Sequence, residues 1–161
     1  MTSLTFTTTH LSPVPAVVLS RHVSRSRLGE DVKSGILRVR AAVTAARVPT
    51  VGAPFIRYLT MGDEPEVEIG LPLEAPHAVP TLRATILPGG TAATTWHEGP
   101  YGEVLSILAD MESWVDANNG SGGDPWVWHL TEPDAEPIRI QVVWPLHAGR
   151  PDGPGTDPVE P

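Results

Sequence analysis

One carboxylate stands out as a group that could do chemistry. Glu68 lies between Val67 and Ile69 in a segment that reads as a β-strand, so its side chain points to the face opposite theirs. In a ligand cleft, this carboxylate could neutralise a cation, or act as a general acid or base if burial raises its pKa. A solvated glutamate at a strand edge is the plain alternative. From the sequence alone, both interpretations stay open.

Aromatic residues are concentrated in the second half of the chain. This half holds six of the nine Phe, Tyr and Trp residues: Trp96, Tyr101, Trp114, Trp126, Trp128 and Trp144. Aromatic walls bind flat, apolar or cationic molecules by stacking and cation–π attraction, worth about 0.5–2 kcal/mol per contact. Trp126 and Trp128 share one strand face, which favours a pocket. Trp114 lies on an apolar helix face and Trp144 shares a strand face with aliphatic residues, which favours the core for both.

Several other kinds of chemistry find no support. The net charge of −8 argues against binding nucleic acid through a basic surface, and the absence of cysteine excludes disulfide and thiolate chemistry. The six histidines do not have metal-ligand spacing, and the sequence contains no glycine-rich phosphate loop or G-x-S-x-G motif. We therefore expect no metal and no cofactor.

The sequence contains neither a signal peptide nor a membrane-spanning segment, and this predicts where the protein is located. The first residues, 1–10, have neither the basic start nor the apolar centre of a signal peptide. No apolar run approaches the roughly 20 residues that a membrane-spanning helix needs. We expect a cytoplasmic protein without contact with a membrane.

Two helices and eight strands account for most of the sequence. Helices are predicted over about 29–47 and 103–118, where apolar residues recur at steps of three and four. The junction before the second helix, 99–103, holds Pro100 and Tyr101 and brings polar and aromatic groups to one edge of the sheet. The predicted strands are 4–8, 16–22, 55–61, 66–71, 81–87, 91–97, 125–131 and 138–144.

The order of these elements repeats. Segment 52–59 aligns with 123–130, segment 68–73 with 141–146, and segment 13–22 with 88–97, so that His22 falls on His97. Neither half can bury a sheet face and a helix face well alone.

The predicted fold is therefore α+β: a duplicated strand–helix–strand–strand module with pseudo-two-fold symmetry, and an antiparallel sheet with both helices on one side. Repeat one spans about 4–73 and repeat two about 81–146, within one domain over 1–146. The Gly-, Pro- and Asp-rich end, 147–161, is expected to be a disordered tail.

Five segments together resemble the GyrI-like family of effector-binding domains. These segments are 51–58, 67–73, 87–90, 97–101 and 142–146, and the resemblance covers about 4–146. It implies two modules with a ligand cleft between them. It also implies binding of lipophilic, frequently cationic, aromatic compounds beside a buried glutamate.

The sequence departs from the family pattern in two ways. Regulators of this family carry a DNA-binding helical region before the domain, whereas this sequence starts with the first strand, so we expect no direct DNA binding. Val127 and His129 stand where many relatives have Glu and Tyr, and Gln141 stands where Glu is common. Glu68 is the carboxylate left to fill the acidic role.

The leading prediction is a stand-alone protein that binds lipophilic, aromatic and cationic small molecules. Its expected ligand-binding residues are Phe55, Tyr58, Glu68, Trp96, Tyr101, Trp126, Trp128, His129, Gln141 and Trp144. The alternative is a hydrolase of cyclopropane-bearing natural products in which Glu68 activates water; the sequence leans against an enzyme and assigns no other catalytic residue. A protein-interaction module, such as an inhibitor of a topoisomerase, is a weaker third hypothesis. The oligomeric state is left open.

Overall fold

The structure is a computed structural model that describes residues 5–118, 121–132, 135 and 137–147. Its strands are β1 (Thr7–Leu11), β2 (Val14–His22), β3 (Phe55–Tyr58), β4 (Glu66–Pro72), β5 (Arg83–Leu87), β6 (Gly90–Gly99), β7 (Ser121–Gly122), β8 (Trp126–His129) and β9 (Ile138–His147). Its helices are α1 (Leu28–Ala46) and α2 (Val104–Ala117), each preceded by a short 3-10 turn, at Arg25–Arg27 and Tyr101–Glu103.

Eight strands form one curled antiparallel sheet. Their order is β1-β6-β9-β8-β3-β4-β2-β5, and the short β7 adds to the end of β9. Strands β3 and β8, one from each repeat, pair at the centre of the sheet. The predicted α+β fold is thereby confirmed.

Both helices bury an apolar stripe against one face of the sheet. In α1 the buried residues include Leu28, Val32, Ile36, Val39 and Val43, the three-to-four spacing of a one-sided helix. Helix α1 packs over β2 and β4, and α2 packs over β9. The central strands β3 and β8 therefore lie at the seam between the two helix-covered halves.

Hydrogen bonds around β3 and β8 show the pseudo-two-fold symmetry. The backbone N–H of Tyr58 donates to the carbonyl of Pro125, and the N–H of His129 donates to the carbonyl of Pro54, both at 2.9 Å. These matched bonds make Tyr58 and His129 equivalent positions of the two repeats, as the sequence alignment predicted.

The alignment of β2 with β6 was wrong by one residue. Ala16 lies opposite Pro72, and Ala92 lies opposite Pro145, which makes these two alanines equivalent. His22 therefore corresponds to Glu98, not to His97. Matching the two histidines by type moved the register by one, and a one-residue slip turns every side chain to the other face.

Some strand limits also differ from the predicted ones. Strand β1 begins at Thr7 and continues to Leu11, beyond the predicted end, because it pairs along its whole length with β6. Strand β7 lies in a predicted loop, since a two-residue pairing leaves no periodicity to read. Strand β9 includes His147, which had been assigned to the tail; the rest of that predicted tail, 148–161, lies outside the described residues.

Alternation along the strands gives the sheet two different surfaces. We call the surface under α1 and α2 the helix face, and the opposite surface the far face. The helix face carries the larger core, which includes Ile56, Val67, Ile69, Val127 and Val142. The far face carries a second apolar cluster of Ala16, Val18, Phe55, Leu87, Ala92, Trp126 and Val143.

Candidate functional site

The predicted ligand-binding residues separate into two groups. On the helix face lie Tyr58, Tyr101, His129 and Trp144. On the far face lie Phe55, Glu68, Trp96, Trp126, Trp128 and Gln141. Phe55 and Tyr58 show the cause: they are three residues apart in one strand, so they point to opposite faces. The sheet itself separates the two groups.

Glu68 is buried, with 2% of its surface exposed, but its charge is already compensated. The guanidinium of Arg57 donates from Nε to Oε1 at 2.8 Å, and the guanidinium of Arg83 pairs with Oε2. Arg57 also donates to the hydroxyl of Thr85 at 3.2 Å. A cationic ligand would have to displace an arginine to reach this carboxylate. Glu68 therefore holds two guanidiniums in place on the far face.

The arginine partners of Glu68 were not predicted from the sequence. Arg57 and Glu68 lie directly opposite each other on the paired strands β3 and β4. Opposite charges at facing positions of an antiparallel pair attract. The pairing register was needed to see this, and the sequence pattern did not give it.

On the far face, the predicted aromatic walls are largely packed. Phe55 and Trp126 are buried, and Phe55 meets the half-buried Trp128 edge-on with ring centroids 5.4 Å apart. Trp96 differs from them, because 62% of its surface is exposed. It borders a pocket of about 380 Å³, lined by Trp96, His97, Glu98, Leu130, Arg139 and Ile140.

On the helix face, Tyr101 and His129 are joined by a hydrogen bond. The Tyr101 hydroxyl lies 2.8 Å from Nε2 of His129, and the two ring centroids are 5.6 Å apart. Nδ1 of His129 lies 3.1 Å from the carbonyl oxygen of Val127. A carbonyl can only accept, so Nδ1 carries the proton and Nε2 accepts from the Tyr101 hydroxyl.

The imidazole is neutral at physiological pH. Burial lowers the pKa of His129 to about 4, against smaller opposing effects of the Val127 carbonyl and of Glu132. Burial raises the pKa of both Tyr58 and Tyr101, and in Tyr101 the nearby Tyr58 adds to the rise. The three side chains, which we call the seam cluster, therefore carry no net charge.

Tyr58 supplies the unusual feature of the seam cluster. Its hydroxyl is buried and has no hydrogen-bond partner among the described residues. A buried polar group left unpaired costs about 1–3 kcal/mol, and native structures contain few of them. The Tyr58 hydroxyl is thus a donor directed into the interior without an acceptor from the described chain.

Tyr101 is the member of the seam cluster that comes from the turn before α2. It belongs to the 3-10 turn that follows Pro100, and its ring lies against Gly29 in the first turn of α1. A Cβ atom at position 29 would lie 3.8 Å from the ring, which is an ordinary van der Waals contact. Tyr101 therefore contacts the first turn of α1 and the central strand β8.

The described residues contain neither a metal-binding cluster nor a helix that could span a membrane. Among the described residues, no group of three or more His, Cys, Asp or Glu side chains could hold a metal ion. None of the helices in the described ranges has the length and apolarity that a membrane span requires.

Comparison with known proteins identifies the fold. No family model matches the sequence, and no curated protein matches it. Among solved structures, the C-terminal domain of EcmrR has a TM-score of 0.74 at 14% identity and covers 89% of this chain and 98% of that one. In the EcmrR–DNA complex, the TM-score is 0.76 at 14% identity, again over 89% of this chain, which spans 57% of the EcmrR chain.

Two further structures have the same fold with lower similarity. SAV2435 bound to tetraphenylphosphonium has a TM-score of 0.59 at 9% identity, over 89% of this chain and 94% of that one. A hydrolase from Listeria innocua has a TM-score of 0.56 at 9% identity, over 88% and 91%. At these identities the likeness shows the fold alone, and that fold is consistent with the GyrI-like domains that the sequence resembles.

Proposed function

We propose that this chain is a GyrI-like effector-binding domain that takes lipophilic aromatic compounds, delocalised cations included, at the seam cluster of Tyr58, Tyr101 and His129. The observation that carries the proposal is the unpartnered hydroxyl of Tyr58, buried between the two repeats. A ligand with a hydrogen-bond acceptor would satisfy this donor and would remove the free-energy cost of leaving it unpaired.

The charge state of the cluster supports the same class of ligand. Three neutral rings in a desolvated site favour molecules that lose little on leaving water. Aromatic faces also attract a cation whose charge is spread over a large apolar surface. The net charge of −8 raises the local concentration of such cations around the protein. The tetraphenylphosphonium bound to SAV2435 is a ligand of this kind.

Entry of a ligand requires a movement of Tyr101. Tyr58 and His129 are each only 2% exposed, so the ligand cannot reach them while the present packing holds. Tyr101 is the member that belongs to a short 3-10 turn rather than to the central sheet. We expect binding to shift this turn and to break the hydrogen bond between Tyr101 and His129.

Two probes of similar shape test the proposal. Triphenylphosphine oxide is neutral and carries a strong acceptor, whereas tetraphenylphosphonium is a cation without one. Calorimetric titration should show that the wild type binds both. Tyr58→Phe should weaken binding of the oxide by about three- to tenfold, the worth of one hydrogen bond, and leave the phosphonium affinity unchanged.

A far-face variant is the matched control. Trp128→Phe keeps an aromatic ring on the far face and should leave both affinities unchanged. Loss of binding in Trp128→Phe, or equal affinity of the oxide for wild type and Tyr58→Phe, would contradict a site at the seam cluster.

The hydrolase alternative is not favoured. It depends on Glu68 as the group that activates water, and this carboxylate is held by two arginines on the far face. Both carboxylate oxygens of Glu68 are engaged by guanidiniums, so neither is free to take a proton from water. The likeness to the Listeria hydrolase is one of fold.

A further inference from the structure

The duplicated fold allows one corner of the far face to be compared with its own mirror image. The corner contains Trp96 and Glu98 at the end of β6, Leu130 after β8, and Arg139 of β9. Within it, Glu98 lies opposite Arg139, and the N–H of Leu130 donates to the carbonyl of Arg139 at 2.9 Å. We call this group the Trp96 corner.

The first repeat contains the same backbone arrangement with different side chains. His22 lies opposite Glu66, and the N–H of Leu59 donates to the carbonyl of Glu66, again at 2.9 Å. Ser20 lies opposite Glu68, as Trp96 lies opposite Gln141. Ser20 is therefore the structural counterpart of Trp96.

This comparison shows that the fold does not need the indole. The same backbone is built in repeat one with a serine. Trp96 is 62% exposed and its neighbour Leu130 is 41% exposed, so neither gains the full benefit of burial. A single exposed aromatic residue is ordinary. Here the exposed pair borders a pocket of about 380 Å³, the size of a small-molecule site.

The pocket also contains two opposite charges that are weakly engaged with each other. Nε of Arg139 lies 3.7 Å from Oε2 of Glu98, and both side chains are 61% exposed. An exposed pair at that distance contributes little to stability. Either group is therefore free to exchange its partner for a charged group of a ligand at little cost.

We infer that the Trp96 corner binds an amino-acid-like zwitterion with a flat aromatic side chain. The ring stacks on Trp96 and contacts Leu130. The ligand's carboxylate pairs with the guanidinium of Arg139, and its ammonium group pairs with the carboxylate of Glu98. The adjacent opposite charges of the facing strands match the adjacent opposite charges of an α-amino acid. The side chains that make these contacts, Trp96, Glu98 and Arg139, lie on the far face of the sheet, whereas the seam cluster lies on the helix face.

Three probes that share an indole ring but differ in charge test the inference. Tryptophan is a zwitterion, tryptamine a cation and indole-3-acetate an anion. Titrations near pH 7 are followed by the indole N–H signals of the labelled protein, and the signal of Trp96 is identified by its loss in Trp96→Ser. Tryptophan should shift that signal at millimolar concentration and bind about fivefold more tightly than either single-charge probe, since each exposed ionic contact adds up to about 1 kcal/mol.

Variants separate the contributions. Trp96→Ser, which copies repeat one, should abolish binding of all three probes as measured by calorimetry. Glu98→Gln should remove the advantage of tryptophan over indole-3-acetate, because the ammonium group of tryptophan loses its partner. Ser20→Ala, at the mirrored position, should change nothing.

The inference is overturned if the three probes bind equally, if Trp96→Ser binds tryptophan normally, or if the Trp96 signal does not move. Its failure is distinguishable from failure of the seam site, because Trp96→Ser should bind triphenylphosphine oxide like the wild type.

Discussion

Replacing Tyr58 by phenylalanine should stabilise the protein and, at the same time, weaken its binding of triphenylphosphine oxide. The change removes the hydroxyl that is buried without a partner and keeps the ring that packs in the helix-face core. Relief of an unsatisfied buried hydroxyl is worth about 1–2 kcal/mol. For a chain of this size, that gain corresponds to a rise in Tm of roughly 2–8 °C.

Tyr101→Phe is the matched control, and we expect it to change the stability of the protein in the opposite direction. Its hydroxyl donates to Nε2 of His129, so its removal leaves a buried acceptor unpaired. We expect a loss of about 1–2 kcal/mol and a lower Tm. Calorimetric melts and urea unfolding of both variants, without ligand and at one pH, provide the comparison. A Tm of Tyr58→Phe below that of the wild type would refute the reasoning, because the hydroxyl would then have a partner in the folded protein.

Two further predictions concern charge. Glu68→Ala should lower the free energy of unfolding by about 3–5 kcal/mol, because the largely buried Arg57 loses the carboxylate to which its guanidinium donates, whereas Arg83→Ala, at an exposed site, should cost about 1 kcal/mol or less. Urea unfolding measures both, and equal costs would contradict the assigned roles. With a pKa of about 4 in the folded state against 6.5 unfolded, His129 should make stability fall by about 3 kcal/mol as pH drops from 6.5 to 4. His129→Gln should flatten that part of the profile in urea titrations; an unchanged slope would exclude His129 as its source.

The sign of the pH effect follows from proton counting. Below pH 6.5 the unfolded chain protonates this histidine, whereas the folded protein resists protonation until about pH 4. The unfolded state then binds more protons, so stability rises with pH across this window and levels off above it.

The fold was largely predictable because its signals are local and occur twice. The apolar stripe of α1, from Leu28 to Val43, has helical spacing, and the equivalence of Tyr58 and His129 follows from the order of residues around them. The register of β2 and β6 was harder to predict. The identity of His22 and His97 suggested one alignment, and the hydrogen-bonded pairing gives another, shifted by one residue.

The candidate site was less predictable, since it depends on which strand face the helices cover. Alternation shows that Phe55 and Tyr58 point in opposite directions, but it does not say which of them meets a helix. Nor does alternation show that Arg57 faces Glu68 across β3 and β4. This pairing neutralises a carboxylate that would otherwise be free to bind a cation. The unpartnered hydroxyl of Tyr58 could be found only from the three-dimensional packing.

A crystal structure with triphenylphosphine oxide would show the position of the ligand. We expect the ligand between the two repeats on the helix face, with its oxygen within hydrogen-bond distance of the Tyr58 hydroxyl and with Tyr101 moved away from His129. A ligand bound on the far face against Trp128, with the Tyr101–His129 hydrogen bond unchanged, would contradict it.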